Sequence, residues 1–160
     1  MEGALFAASA LRRIGYPALL VDLEAVRDSD HVLAIYRRDG CWGSLAKSNF
    51  GREPVYRNLR ELVMSYFEHY FNARGEKTLR TFSRPVNLAR FDKALDWMNT
   101  DEEVWEIPSY LCEIPHTRLL APGDEKRLSR MTSILYDANY VGQQLPRGGA
   151  IRITPRPPQH

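Results

Sequence analysis

His31-Val32-Leu33-Ala34-Ile35-Tyr36-Arg37-Arg38-Asp39-Gly40-Cys41-Trp42-Gly43-Ser44-Leu45-Ala46-Lys47 carries the clearest local signal in the chain. Two strand-like runs flank Asp39-Gly40. An Asp-Gly pair accepts the positive φ angles of a type I′ turn, so the stretch predicts a two-residue hairpin. The pairing follows by counting outward. Arg38 faces Cys41, Tyr36 faces Gly43, and His31 faces Ser48. His31, Leu33 and Ile35 then share a side with Ser44, Ala46 and Ser48. Upstream, Asp28-Ser29-Asp30 marks a turn, and Ala18-Leu19-Leu20-Val21-Asp22-Leu23 reads as a short apolar strand. Residues 18–48 therefore supply three antiparallel strands.

A helix precedes them. A helix is expected from about Glu2 to Ile14, apolar almost all the way round over Glu2–Leu11, and Gly15 and Pro17 stand where it should end. Such a helix belongs inside a core, packed on the sheet, and it needs covering material. Downstream, Asn58 can cap a helix from Leu59 to about Phe71, with Leu59, Leu62, Val63, Tyr66, Phe67 and Tyr70 on one face. Lys77–Ser83 reads as a strand stopped by Pro85. Leu88, Phe91, Leu95 and Met98 predict a helix from Asn87, and Thr100 with Asp101-Glu102-Glu103 matches a capping box that opens a short third one. A last helix is expected from Asp124 to Tyr140. The fold class expected is α+β: a buried N-terminal helix on a small antiparallel sheet, followed by a helical C-terminal half. The division expected is a core over 1–85, a helical extension of the same domain over 86–145, and a disordered Arg- and Pro-rich tail over 146–160.

Composition narrows the function classes. The chain has 160 residues, 44% of them hydrophobic, enough for one core. A net charge of +2 from 22 basic and 20 acidic residues gives no case for nucleic acid or an anionic membrane. Arg57, Arg60, Arg74 and Arg80 make the middle mildly basic, but acids interleave with them. No run approaches a membrane span, and the charges around the first helix reverse those of a secretory signal. Two cysteines do not make a disulfide scaffold, so a cytoplasmic protein is expected. Cys112 and His116 lie four apart around Pro115, too few ligands for zinc. No feature calls for a cofactor.

His31 is the leading candidate for chemistry. It opens a strand after Asp28 and Asp30, where an imidazole can act as a general base. The hairpin register holds Cys41 roughly 20 Å or more from it, so these two cannot form a thiol–imidazole pair. Ser48 lies opposite His31, with Asn49 beside it, and either could orient the ring.

Glu2-Gly3-Ala4-Leu5-Phe6-Ala7-Ala8, Leu19-Leu20-Val21-Asp22-Leu23, Asp30-His31-Val32-Leu33-Ala34-Ile35-Tyr36 and Gly40-Cys41-Trp42-Gly43 together resemble the core of bacterial transglutaminase-like (papain-like) proteins. The resemblance covers residues 2 to about 50; Arg52–Arg57 and the helix after it look like an extension of an uncharacterised subgroup. It implies a nucleophilic cysteine opening the buried helix, a histidine at the start of one strand, and an aspartate or other polar residue on the next strand. The chemistry implied is thiol-mediated acyl transfer or amide hydrolysis on a peptide or amide substrate. A helix N-terminus and an imidazolium stabilise a thiolate, and backbone N–H groups at that end can hold an oxyanion. Here the nucleophile's place falls at Met1 or before it, and Ser48 or Asn49 stands for the aspartate. Loss of a nucleophile costs on the order of a million-fold in rate, so the chain as given is expected to be inactive. Either the natural protein is longer and carries the cysteine, or this is a non-catalytic scaffold that binds a partner protein.

Overall fold

A computed structural model describes residues 1–45, 52–67, 76–130 and 132–134. The expected hairpin is its organising element. β2 (His31–Arg38) and β3 (Cys41–Leu45) pair antiparallel with Arg38 opposite Cys41 and Tyr36 opposite Gly43. Asp39 and Gly40 both have positive φ, 52° and 81°, as a type I′ turn requires. β1 (Leu19–Ala25) pairs with the other edge of β2, Leu23 opposite His31. β4 (Arg52–Tyr56) extends the sheet beyond β3. β5 (Leu79–Ser83) and β7 (His116–Arg118) extend it beyond β1, giving the order β4-β3-β2-β1-β5-β7. Pro85 interrupts β5, and the chain resumes as the two-residue β6 (Val86–Asn87) against the start of β1. Every pairing among the described strands is antiparallel.

α1 (Glu2–Arg13) ends as its sequence predicts. Gly15 takes φ +93°, its N–H donates to the Arg12 carbonyl, and the Tyr16 N–H donates to the Leu11 carbonyl, which closes a Schellman motif. One side of α1 is buried through Ala4, Ala7, Ala8 and Leu11. It packs on Leu20 and Ala34 of the sheet, and Leu88, Trp97, Ile107 and Leu111 cover it further. The material needed to cover the helix therefore comes largely from residues 86–114. The burial is one-sided, because Phe6 is 78% exposed on the outer face.

The opposite face of the sheet carries Val21, Leu23, Leu33 and Ile35 and packs on α2 (Leu59–Met64) with Tyr66, Phe67 and Leu119. The Asn58 side chain caps α2 by accepting from the Glu61 N–H at 2.9 Å. The helix predicted to about Phe71 covers Leu59–Met64 here; positions 68–75 lie outside the described residues.

The expectation of a helical C-terminal half is overturned. Among the described residues the molecule is mainly a seven-stranded antiparallel sheet with three α-helices. After residue 85 the elements among the described residues are β6, α3 (Glu106–Glu113), short 3₁₀ turns at Leu88–Phe91 and Asp124–Arg127, and the strand β7. The apolar period of Leu88, Phe91, Leu95 and Met98 marks core contacts, yet the segment is not a helix. The Leu88 N–H is used by the Ala18 carbonyl, and the Asp92 carboxylate by Arg12 and the Trp97 indole, so tertiary partners set its path. Thr100 does accept from the Glu102 N–H at 3.1 Å, but the helix starts at Glu106, with Pro108 in its first turn. Of the helix expected over Asp124–Tyr140, Asp124–Arg127 forms only a 3₁₀ turn and Leu128 turns extended. Positions 133–134 are helical again, and residues 135–160, with the tail, lie outside the described residues. No described helix is long and apolar enough to cross a membrane.

Candidate functional site

The middle of β1, the start of β2 and α3 converge at the leading turn of α1. Met1, Gly3 and Ala4 form one wall of a cleft of about 260 Å³. Asp22 of β1, Asp30 and His31 at the mouth of β2, and Cys112 of α3 complete the polar part of its lining. The strand pleat alone would set His31 with Leu33 and Ile35 on the α2 side of the sheet. At the strand's mouth the residue instead contributes to the cleft on the α1 side. Burial lowers the imidazole pKa to about 4; the Met1 amino group pushes the same way, and Asp28 opposes them. His31 is thus neutral near pH 7 and lines the same cleft as the start of α1.

Ser48 and Asn49, the predicted orienting residues, lie outside the described residues. Ladder pairing is described as far as Ala34 opposite Leu45. Asp28 and Asp30 hold the preceding turn. Asp30 accepts from the Ala25 N–H at 3.0 Å, and Asp28 accepts from the Thr78 hydroxyl at 2.8 Å. Cys41 sits beside the hairpin turn, far along the ribbon from His31, as the register predicts.

Asp22 of the cleft belongs to a pair that sequence reasoning missed. Asp22 is 4% exposed, and its Oδ2 lies 3.2 Å from His116 Nε2. His116 Nδ1 faces the Ile114 carbonyl at 2.9 Å. A carbonyl only accepts, so Nδ1 carries a hydrogen. Nε2 and the carboxylate oxygen can then bond only through a single proton held between them. Burial raises the Asp22 pKa, while the hydrogen bond from His116 opposes that shift. Both ring nitrogens are committed, so His116 cannot serve as the base for a neighbouring thiol; it ties β7 to β1. The available signal was Asp22 itself, one carboxylate inside the run Leu19–Leu23, which must find a partner when buried.

Cys112 is the cysteine that lines this cleft. Its thiol pKa is raised, first by burial and then by the charges of Asp22 and Asp30. The surroundings keep it protonated, the reverse of what an attacking thiolate needs. Cys112 is therefore poorly placed electrostatically to act as a thiolate. No group of three or more His, Cys, Asp or Glu among the described residues could hold a metal ion.

No family model matches the chain, and no curated protein matches it.

Proposed function

We propose that this chain carries the frame of a transglutaminase-like thiol acyl-transfer or amide-hydrolysis centre, with its nucleophile position at the leading turn of α1 and His31 as the base. The observation that carries this reading is the shared cleft: Met1, Gly3 and Ala4 of the helix start line it together with His31. That is the relation an attacking thiol and its base require, with the α1 macrodipole favouring an anion at the same end. Backbone N–H groups of the first turn are not all used by the helix and can meet an oxyanion. The side chain now at that position is the Met1 thioether, which is no nucleophile for acyl transfer. In this reading a cysteine at the same place makes the frame reactive. The substrate class in this reading is a peptide or another amide.

A cysteine restored at the position tests this. Met1→Cys, produced behind an added initiator methionine, is treated with iodoacetamide between pH 6 and 7. The new thiol should alkylate at least about tenfold faster than Cys41 and Cys112. Adding His31→Ala should return it to the rate of an ordinary thiol and leave the two native cysteines unchanged. A slow new thiol that is indifferent to His31 would overturn the reading. So would a fast Cys112 whose rate depends on His31, since the nucleophile would then belong on α3.

A further inference from the structure

A second depression, of about 540 Å³, runs along the outer side of α1 to the start of α3. Its size is within the range of about 300–1,000 Å³ typical of ligand sites. Two features set its character. Glu2, Asp101, Glu102 and Glu103 all line it, and no lysine or arginine does. Phe6 and Trp105 line it as well, at 78% and 66% exposure. Large aromatic side chains left open beside a one-sided ring of carboxylates complement a ligand that is both cationic and apolar.

The groove also meets the cleft of His31. Met1, Gly3 and Pro108 line both. A ligand lying in the groove therefore continues naturally toward the start of α1, which suits an extended chain better than a compact amine.

We propose that this groove is a docking site for an extended basic peptide segment, with arginine or lysine side chains against Glu2 and Asp101–Glu103 and an apolar side chain on the floor of Phe6 and Trp105. The proposal rests on the groove itself and holds whether or not a thiol acts at the helix start. It goes beyond the acyl-transfer reading by assigning a charge and a shape to the partner.

Binding can be read without turnover. The probe is a fluorescein-labelled peptide of alternating leucine and arginine, six residues long, titrated against the whole chain by fluorescence anisotropy. A leucine–glutamine peptide of equal length is the control. The arginine peptide should bind, and the glutamine peptide should bind at least about tenfold more weakly. Asp101→Asn with Glu102→Gln and Glu103→Gln should weaken the arginine peptide about tenfold, and Trp105→Ala should do the same independently. Glu24→Gln with Glu125→Gln, on a different face, should change nothing. Far-UV circular dichroism confirms that each variant is folded. Equal loss from the Glu24 and Glu125 substitutions would overturn the proposal, because net charge alone would explain binding. Displacement by spermidine as readily as by unlabelled peptide would overturn it too, since the apolar floor would then count for nothing. Sedimentation showing a dimer that Trp105→Ala dissolves would assign the groove to a second copy of the chain instead. The result that sinks it most simply is an arginine peptide that does not bind.

Discussion

The two faces of the sheet are built on different chemistry. The face against α2 is dry: Val21, Leu23, Leu33 and Ile35 meet Leu62, Val63, Tyr66 and Leu119, all fully buried. Its central polar groups, Ser44 and Tyr66, bond to each other at 2.6 Å. The face against α1 is held by smaller side chains, Ala4, Ala7, Ala8 and Ala34, and it encloses the Asp22–His116 pair and the cleft of His31. Small residues let α1 approach the strands closely, so the helix start reaches the strand mouths. One face is an apolar core, and the other buries a carboxylate and an imidazole bonded to each other beside the cleft.

The sharpest way to break this contrast is to cut into the dry face. Leu33 is fully buried there. Leu33→Ala should cost about 3–4 kcal/mol, transfer and cavity terms together, read as a lowered midpoint in urea unfolding. A loss below about 1 kcal/mol would mean that this face repacks freely and is no more a fold-securing core than the other.

Gly43 marks where the ribbon itself allows no change. A Cβ there would stand 2.8 Å from the Arg52 carbonyl oxygen and 2.9 Å from both the Pro54 nitrogen and the Tyr36 ring. Two of these are backbone atoms of β4 and cannot swing aside. Gly43→Ala should cost about 2–3 kcal/mol through displacement of β4, measured in the same way. An unchanged midpoint would show that β4 docks loosely on β3.

Much of this was written in short-range chemistry. Asp39-Gly40 fixed the register of the hairpin, Gly15 the end of α1 and Asn58 the start of α2, because each acts through backbone angles or one hydrogen bond a few residues away. The stretch 88–105 was misread, because its apolar spacing is real but its backbone answers to Ala18 and Arg12, distant in the chain. Asp124–Arg127 opens like a helix and is turned aside at Leu128, which packs against the α2-side core. Of the cleft, the place of His31 at the start of β2 was legible, because the hairpin register sets it. Asp22 with His116 was not, since the two are 94 positions apart and no spacing rule spans that distance.

That pair offers a finer test of the polar face. His116→Ala leaves the Asp22 carboxyl buried without its ring partner and should cost about 2 kcal/mol. Asp22→Asn should cost less than about 1 kcal/mol, because an amide N–H can donate to a neutral Nε2 and needs no shared proton. The pH profile adds a sign. The Asp22 pKa is raised in the folded chain, so its contribution is fully present below the unfolded carboxylate value and is lost as pH rises through the folded one. Asp22→Asn should therefore gain relative to the native chain as pH rises through that interval. Equal costs for the two substitutions at every pH would mean that the ring and carboxyl merely fill space.

The smallest effect belongs to His31, and it addresses the site most directly. Its pKa is about 4, lowered first by burial and then by the Met1 amino group. The unfolded ring titrates near 6.5. Between those values the unfolded chain takes up a proton that the folded chain refuses, so stability falls as pH drops from about 6.5 to about 4. With the ring in partial contact with solvent, the loss should be about 1 kcal/mol, and His31→Gln should remove it. Titration of the ring's Cε1 proton by NMR isolates the group from the carboxylates that change over the same range, and its midpoint should lie near 4. A midpoint at the unfolded value would place the ring in solvent, away from the helix start, and a midpoint above it would place the ring against the carboxylates of the preceding turn; either would remove the proposed base. In the chain with cysteine at position 1, a thiolate beside the ring favours the imidazolium, so the same midpoint should move upward. If it does not move, thiol and imidazole do not face each other, and the polar face is built for some task other than acyl transfer.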